Sequence, residues 1–248
     1  MQKIEVQIVS GDGKFLMDPP EIEGVEVIRV ANPAKEAITV LNNSFIDRFS
    51  GDPDVGFFVF MHADVNLDFP AFISHVRECS GKYDVMGLCG CESLNTAASP
   101  LNWFTGSAHR PERRWGCVTH GELGNQKSFF SGDRSDIRDH QVACVDGLCI
   151  VMTRKAVDSG LRFNEKLKFD CYDTDLCLNA VMRHSLRIGC LVEPSLVHQS
   201  VGRSILDPKF LDCEIEMRKS VGLDLSPTEI ARERFRTRTL SRNANTQD

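Results

Sequence analysis

The segment Val55-Gly-Phe-Phe-Val-Phe-Met61 carries no polar side chain. A strand with one wet face alternates apolar and polar residues, so a strand-length run without alternation must be covered on both faces. That requires a sheet with helices on either side, and the flanking sequence supplies them. Upstream, Ile4 to Val9 reads as a strand ending in the turn Ser10-Gly11-Asp12-Gly13, and Val25 to Val30 as a second short strand. A helix follows, with Asn32 as its N-cap, Pro33 at the first helical position and Ala34, Ala37, Ile38, Leu41, Phe45 and Phe49 along one face; Ser50-Gly51 stops it. Downstream, a helix opens at Pro70 with Phe72, Ile73 and Val76 inward, and Val85 to Cys89 is the next strand. This order predicts an α/β chain with a mostly parallel central sheet flanked by helices.

The pattern breaks from Glu92 to Gln141, which is rich in Ser, Gly, Asn, Arg and Pro and holds both tryptophans, Trp103 and Trp115. It reads as a long structureless segment, a feature that in a compact domain points to function or mobility. Regular structure resumes at Val145 to Met152, then a helix from about Thr174 and a strand at Arg187 to Val192 closed by Pro194. Two more helices are expected, Pro208 to Ser220 and Pro227 to Leu240. The second carries Arg232, Arg234, Arg236 and Arg238 against Glu229 and Glu233. The expected division is a single catalytic domain over 1–205, C-terminal helices over 206–240 packed on it or extending it, and a disordered tail over 241–248.

A formal net charge of -6 argues against a broad nucleic-acid or anionic-membrane footprint, so a phosphate-bearing partner would need a local site. The N-terminal residues lack a secretory core and no stretch is long enough to span a bilayer. The expectation is a cytoplasmic protein, with peripheral membrane contact through an acceptor left open. The ten cysteines show no zinc-type C-x-x-C pair and read as reduced core thiols.

The chemistry-bearing residues fall in three places. His62-Ala63-Asp64 follows the buried strand, and ligands in open α/β sheets bind beyond the carboxyl ends of strands. An Asp and a His two residues apart on extended backbone project the same way, which suits a hard divalent cation; the plain alternative is that Asp64 caps the next helix. In Tyr172-Asp-Thr-Asp175, both carboxylates sit where they would cap and charge a helix start, or Asp173 could face a cleft as a general base while Asp175 holds the helix. His198 after the last strand is a surface histidine unless it meets Asp64 in space.

Taken in order, these elements resemble the GT-A glycosyltransferases, specifically inverting family two and its short glycosyltransferase-like relatives. The likeness rests on Leu41-Asn-Asn-Ser-Phe45 before Phe57-Phe-Val-Phe-Met-His-Ala-Asp64, on Val145-Asp-Gly-Leu-Cys-Ile-Val-Met-Thr-Arg-Lys155, on Tyr172-Asp173-Thr-Asp175-Leu176 and on His198. His62 stands where the first Asp of D-x-D would be, and Tyr172 where the Glu of E-D would be. The resemblance implies a single GT-A (Rossmann-like) domain catalysing inverting transfer from a nucleotide-diphosphate sugar to the hydroxyl of a carbohydrate, glycoprotein or lipid-linked acceptor. It implies Mn²⁺ or Mg²⁺ held by Asp64 and His198, with His62 a further candidate ligand, and Asp173 as the base. Ser10, Asp12, Asn42, Asp64 and Arg134 are the expected donor-binding residues, Arg138 an alternative phosphate contact, and Trp103 or Trp115 a platform for sugar. A homodimer through the C-terminal helices is left open. The competing readings are a sugar-nucleotide nucleotidyltransferase, for which Ser10-Gly-Asp-Gly-Lys14 is a partial phosphate loop, and a catalytically silent nucleotide-sugar-binding module.

Overall fold

The apolar run becomes an interior strand of a seven-stranded sheet. The computed structural model describes residues 2–121, 124–131, 138–200, 208–233 and 235. In chain order these form β1 (Lys3–Ser10), β2 (Val25–Ala31), α1 (Ile38–Phe49), β3 (Val55–His62), β4 (Val65–Asn66), α2 (Phe69–Glu78), β5 (Val85–Gly87), β6 (Cys89–Cys91), β7 (Arg114–His120), β8 (Lys127–Ser131), β9 (Asp139–Val142), β10 (Cys144–Val145), β11 (Cys149–Thr153), α3 (Arg154–Asp158), α4 (Tyr172–Met182), β12 (Ile188–Leu191), β13 (Val197–His198) and α5 (Pro208–Val221). A further helical stretch covers 226–233.

The large sheet has the order β2-β1-β3-β11-β5-β12-β9. Val55 to Met61 of β3 are all buried. Successive side chains leave a strand on opposite faces, and the core divides accordingly. Phe58 and Phe60 pack with Phe45 and Ile46 of α1 and with Leu176 of α4, whereas Phe57, Val59 and Met61 pack with Phe72, Ile73 and Val76 of α2. The absence of alternation in the sequence is thus the mark of two cores sharing one strand.

The mostly parallel expectation holds for five of the seven strands and fails for two. β2, β1, β3, β5 and β12 run one way, but β11 lies antiparallel between β3 and β5, and β9 is antiparallel on the far edge. The sheet is mixed because β11 does not return through a crossover helix. It follows an excursion into a second sheet, ordered β10-β6-β7-β13-β4 with β8 on β7, and enters from the opposite end.

The structureless reading of 92–141 also needs correcting, because the segment holds β7 and β8 of this second sheet and most of β9, the far edge of the large one. The buried residues of β7, Gly116, Cys117 and Val118, are flanked by Arg114, Trp115 and Thr119, so the strand shows neither an apolar run nor alternation. Gly116 has φ 122°, and a Cβ there would sit 2.7 Å from the Leu88 carbonyl oxygen, so a glycine that signals a loop in sequence is a close-approach residue in a strand.

The first helix also begins later than its sequence signals suggest. α1 starts at Ile38 behind Ala37, which makes no side-chain cap. Asn32 closes its own turn instead, accepting from the Glu36 N–H and donating to the Glu36 carbonyl, while Lys35 takes φ 53°. Residues 32–37 therefore form a loop at the sheet's edge rather than a first helical turn. α2 opens at Phe69, one residue from its expected start, with Asp68 as a true N-cap accepting from Ala71.

α5 packs on α4, and its Arg218 is fully buried, bonded to Glu214 and to the carbonyls of Thr96, Ala98 and Asp224. Arg232 pairs with Asp212 of α5 at 3.0 Å; Arg234, Arg236, Arg238 and the tail lie outside the described residues. All ten cysteines are free and nine are buried, as expected of reduced core thiols. Among the described residues no helix is long and apolar enough to cross a membrane.

Candidate active site

β3 delivers His62 and Asp64 to the carboxyl edge of the large sheet, where the backbone is fixed from several sides. The His62 N–H donates to the Leu148 carbonyl at 3.0 Å, the Ala63 N–H to Val9 at 3.1 Å, and the Asp64 carbonyl accepts from Gln199 at 2.8 Å. Since Asp68 caps α2, Asp64 is released from the capping role the sequence left open. The second sheet supplies the third group. β13 pairs antiparallel with β4, setting His198 opposite Val65, and parallel with β7, setting it beside His120. His198 Nε2 lies 3.4 Å from Asp64 Oδ1, and its ring centroid lies 6.1 Å from that of His62 and 5.0 Å from that of His120.

Tyr172 joins this cluster to Asp173. Its hydroxyl donates to the Gly147 carbonyl at 2.7 Å and lies 2.9 Å from His62 Nε2. A phenol has one proton, and a carbonyl can only accept, so His62 Nε2–H is the donor toward Tyr172 and Nδ1 keeps its lone pair. The Gly147 N–H in turn donates to Asp173 Oδ2 at 3.0 Å, and the Thr174 N–H to Asp173 Oδ1 at 2.7 Å. One residue, through the N–H and the carbonyl on either side of its Cα, therefore orients both ends of the site. Gly147 is required there, because a Cβ would run into the Tyr172 hydroxyl.

Electrostatics separate the carboxylates. Burial pushes the Asp173 carboxyl up to about 7, with the charge of Asp146 adding to it and the two backbone N–H groups only partly offsetting it. For Asp64, burial pulls upward, but the hydrogen bond and charge of His198, with help from His62, outweigh it and leave the carboxyl below its ordinary range. Burial also holds the His62 imidazole below its usual value, against the pull of Asp64. Asp175 is tied to Ser220, Asn164 and Asn179 and serves the α4–α5 packing.

A cleft of about 880 Å³ opens from this cluster along the ends of β1 and β3. Ser10, Asp12, His62 and Asp64 all line it, together with Lys14, Lys35, Lys168 and the exposed Phe169, whose ring stacks near His62 at 5.7 Å. Asp12 is held by Ser10 Oγ and the Lys14 N–H, each at 3.0 Å. Asn42, expected on the donor, instead lies buried beneath β1 with its carbonyl accepting from Gln7 at 2.9 Å, because the inner face of α1 points into the sheet. Arg134 lies outside the described residues, and Arg138 is exposed. Neither tryptophan stands open as a platform: Trp103 donates to Asp146 Oδ2 at 2.5 Å, and Trp115 stacks on His140 with centroids 3.5 Å apart.

His62, Asp64 and His198 fit a divalent cation. Their ligand atoms lie within 4.8 Å of one another, the His62 Nδ1 lone pair is spare, and His198 Nδ1 is buried without a hydrogen-bond partner. Two imidazoles and one carboxylate suit Mn²⁺ better than Mg²⁺, which prefers oxygen throughout. Sequence reasoning found no role for Asp146, His120, Lys35 or Lys168, did not see Tyr172 as a link, and met Lys14 only as the end of the partial phosphate loop. Asp146 was visible as an acid between a strand and a glycine; His120 was hidden in the segment read as structureless.

No protein-family model matches the sequence, and no curated protein matches it. Among solved structures, the chain is similar to A197 from STIV, at 15% identity and a TM-score of 0.40 over 82% of this chain and 97% of that one. It is also similar to S. aureus TarS 1-349, at 13% identity and a TM-score of 0.43 over 97% of this chain and 72% of that one. Against S. aureus TarS, identity is 12% and the TM-score 0.42, and the chain spans 44% of its length. At TM-scores this low the likeness identifies neither a family nor an activity.

Proposed function

We propose that this chain transfers a sugar, with inversion, from a nucleoside diphosphate donor to an acceptor hydroxyl. The observation that carries this reading is the bonded path His62–Tyr172–Gly147–Asp173, which ties a carboxyl poised near neutrality, itself outside the cleft lining, to a cation-competent His/Asp cluster whose His62 and Asp64 line one end of a lysine-bearing cleft.

In this reading the residues divide the work. Asp173, held by two backbone donors, takes the proton of the acceptor hydroxyl as it attacks the anomeric carbon, a step worth roughly 10² to 10⁴ in rate. Asp64, His198 and His62 would hold Mn²⁺, which when bound neutralises diphosphate charge as the leaving group departs. Lys14, Lys35 and Lys168 meet the remaining phosphate charge, and Asp12, oriented by Ser10, accepts from the base or ribose at the far end. Phe169 offers an apolar face beside His62 for a sugar ring.

The direct test is a melting-temperature screen of uridine, guanosine and thymidine diphosphates with and without Mn²⁺. One nucleotide is expected to stabilise the protein, more so with Mn²⁺, and His198→Ala is expected to abolish the Mn²⁺-dependent part. No response to any of the three, with or without the ion, would sink the donor assignment.

A further inference from the structure

On the α2 face of the large sheet, at its β9 edge, His75, Cys79 and Asp139 bring ligand atoms within 4.8 Å of one another. His75 and Cys79 are four residues apart, one at the last turn of α2 and the other its C-cap, with the Cys79 N–H donating to the His75 carbonyl at 3.0 Å. That spacing sets both side chains on one side of the helix end. Asp139 opens β9, the edge strand paired with β12. Its Oδ2 accepts from the Tyr83 hydroxyl at 2.8 Å, and its Oδ1 meets Lys82 Nζ at 2.9 Å. Tyr83 reaches this point because its ring lies over Gly189, where any Cβ would collide with it.

We propose that His75, Cys79 and Asp139 form a zinc site that ties the end of α2 to the start of β9. Thiolate, imidazole and carboxylate together are a donor set for Zn²⁺, with water in the fourth position. The Tyr83 hydroxyl, bonded to the carboxylate oxygen turned away from Lys82, orients the carboxylate as outer partners of metal ligands do. Loading exchanges cations. Zn²⁺ takes Asp139 Oδ1, the exposed Lys82 ammonium swings into water, and the Cys79 thiol proton leaves to solvent. This site is separate from the His62/Asp64/His198 cluster, which has no sulfur.

Cobalt distinguishes the two, because only a sulfur ligand gives a thiolate-to-metal charge-transfer absorption. The full-length protein titrated with Co²⁺ is expected to develop that band at one equivalent and to lose it on adding Zn²⁺. Cys79→Ser is expected to abolish the band, and His75→Gln to weaken Co²⁺ binding at least ~10-fold, with Tyr83→Phe costing ~10- to 100-fold. Lys82→Ala, which removes the competing cation, is expected to tighten binding. A wild-type protein without the band, a band that survives in Cys79→Ser, or a His75→Gln protein with unchanged affinity each overturns the proposal. Should Cys79→Ser fail to fold, the His75→Gln titration decides alone. None of these readouts involves a nucleotide, so they stand or fall apart from sugar transfer.

Discussion

Asp173 binds its proton near neutrality because it is buried beside Asp146, and that has two measurable consequences. The first is catalytic. If Asp173 is the base, kcat/KM rises with pH through about 7, and Asp146→Asn moves this limb to lower pH by removing the neighbouring charge; a limb that stays in place would show that Asp146 does not act on the base. Asp173→Asn is expected to cost roughly 10² to 10⁴ in rate while leaving the nucleotide-induced melting shift intact. The second consequence is for stability. A carboxyl whose folded pKa lies above its unfolded value of 3.8 contributes stability fully below that pH, and the contribution is lost as pH climbs through about 7. Asp173→Asn therefore flattens stability between about pH 4 and 7, measured by denaturant unfolding at several pH values. Glu5 does not vanish from that profile: burial and Glu26 push it up to about 7 as well, so part of the slope remains. At this scale the placement of Asp64 beyond a buried strand and of Asp173 in the first turn of a helix was legible in the sequence, because an apolar run and a helix start mark those positions. Asp146 was visible only as an acid before a glycine; its effect on Asp173 was not, since that exists only through a neighbour distant in the chain.

Elements were legible where one physical signal dominated. β3 declared itself by its unbroken apolar run, and α2 by Pro70 and the inward face of Phe72, Ile73 and Val76, though its cap proved to be Asp68. α1 was read five residues too early because Asn32 and Pro33 satisfy the same local rules in a closed turn as in a helix cap. β7 escaped because its buried positions are small and its glycine serves close packing rather than a turn. The turn between β10 and β11 is the element on which the site depends most. Gly147→Ala is expected to displace the Tyr172 hydroxyl, loosening His62 and Asp173 together. Overpacking of this kind costs about 1–3 kcal/mol, so a melting temperature several degrees lower should accompany a loss of turnover larger than that of Tyr172→Phe. Equal losses in the two variants would show that the turn acts only through the hydroxyl.

For the whole molecule, the nucleotide screen has a defined size. A ligand at ~100 times its dissociation constant stabilises a fold by ~2.7 kcal/mol, which for a chain of this length is roughly 5–10 °C. Smaller responses at saturation would point to a partner other than the nucleotide as the main source of affinity. The architecture also sets an order of assembly. β1, β2, α1 and β3 leave the ribosome long before residues 149–153, yet β11 is what covers the free side of β3. Until it arrives, the nascent chain presents an unpaired strand made of valine, phenylalanine and methionine, the kind of edge that recruits other chains. A protein cut short before β11 is therefore expected to be found in inclusion bodies, and slow translation through the second sheet to increase dependence on chaperones.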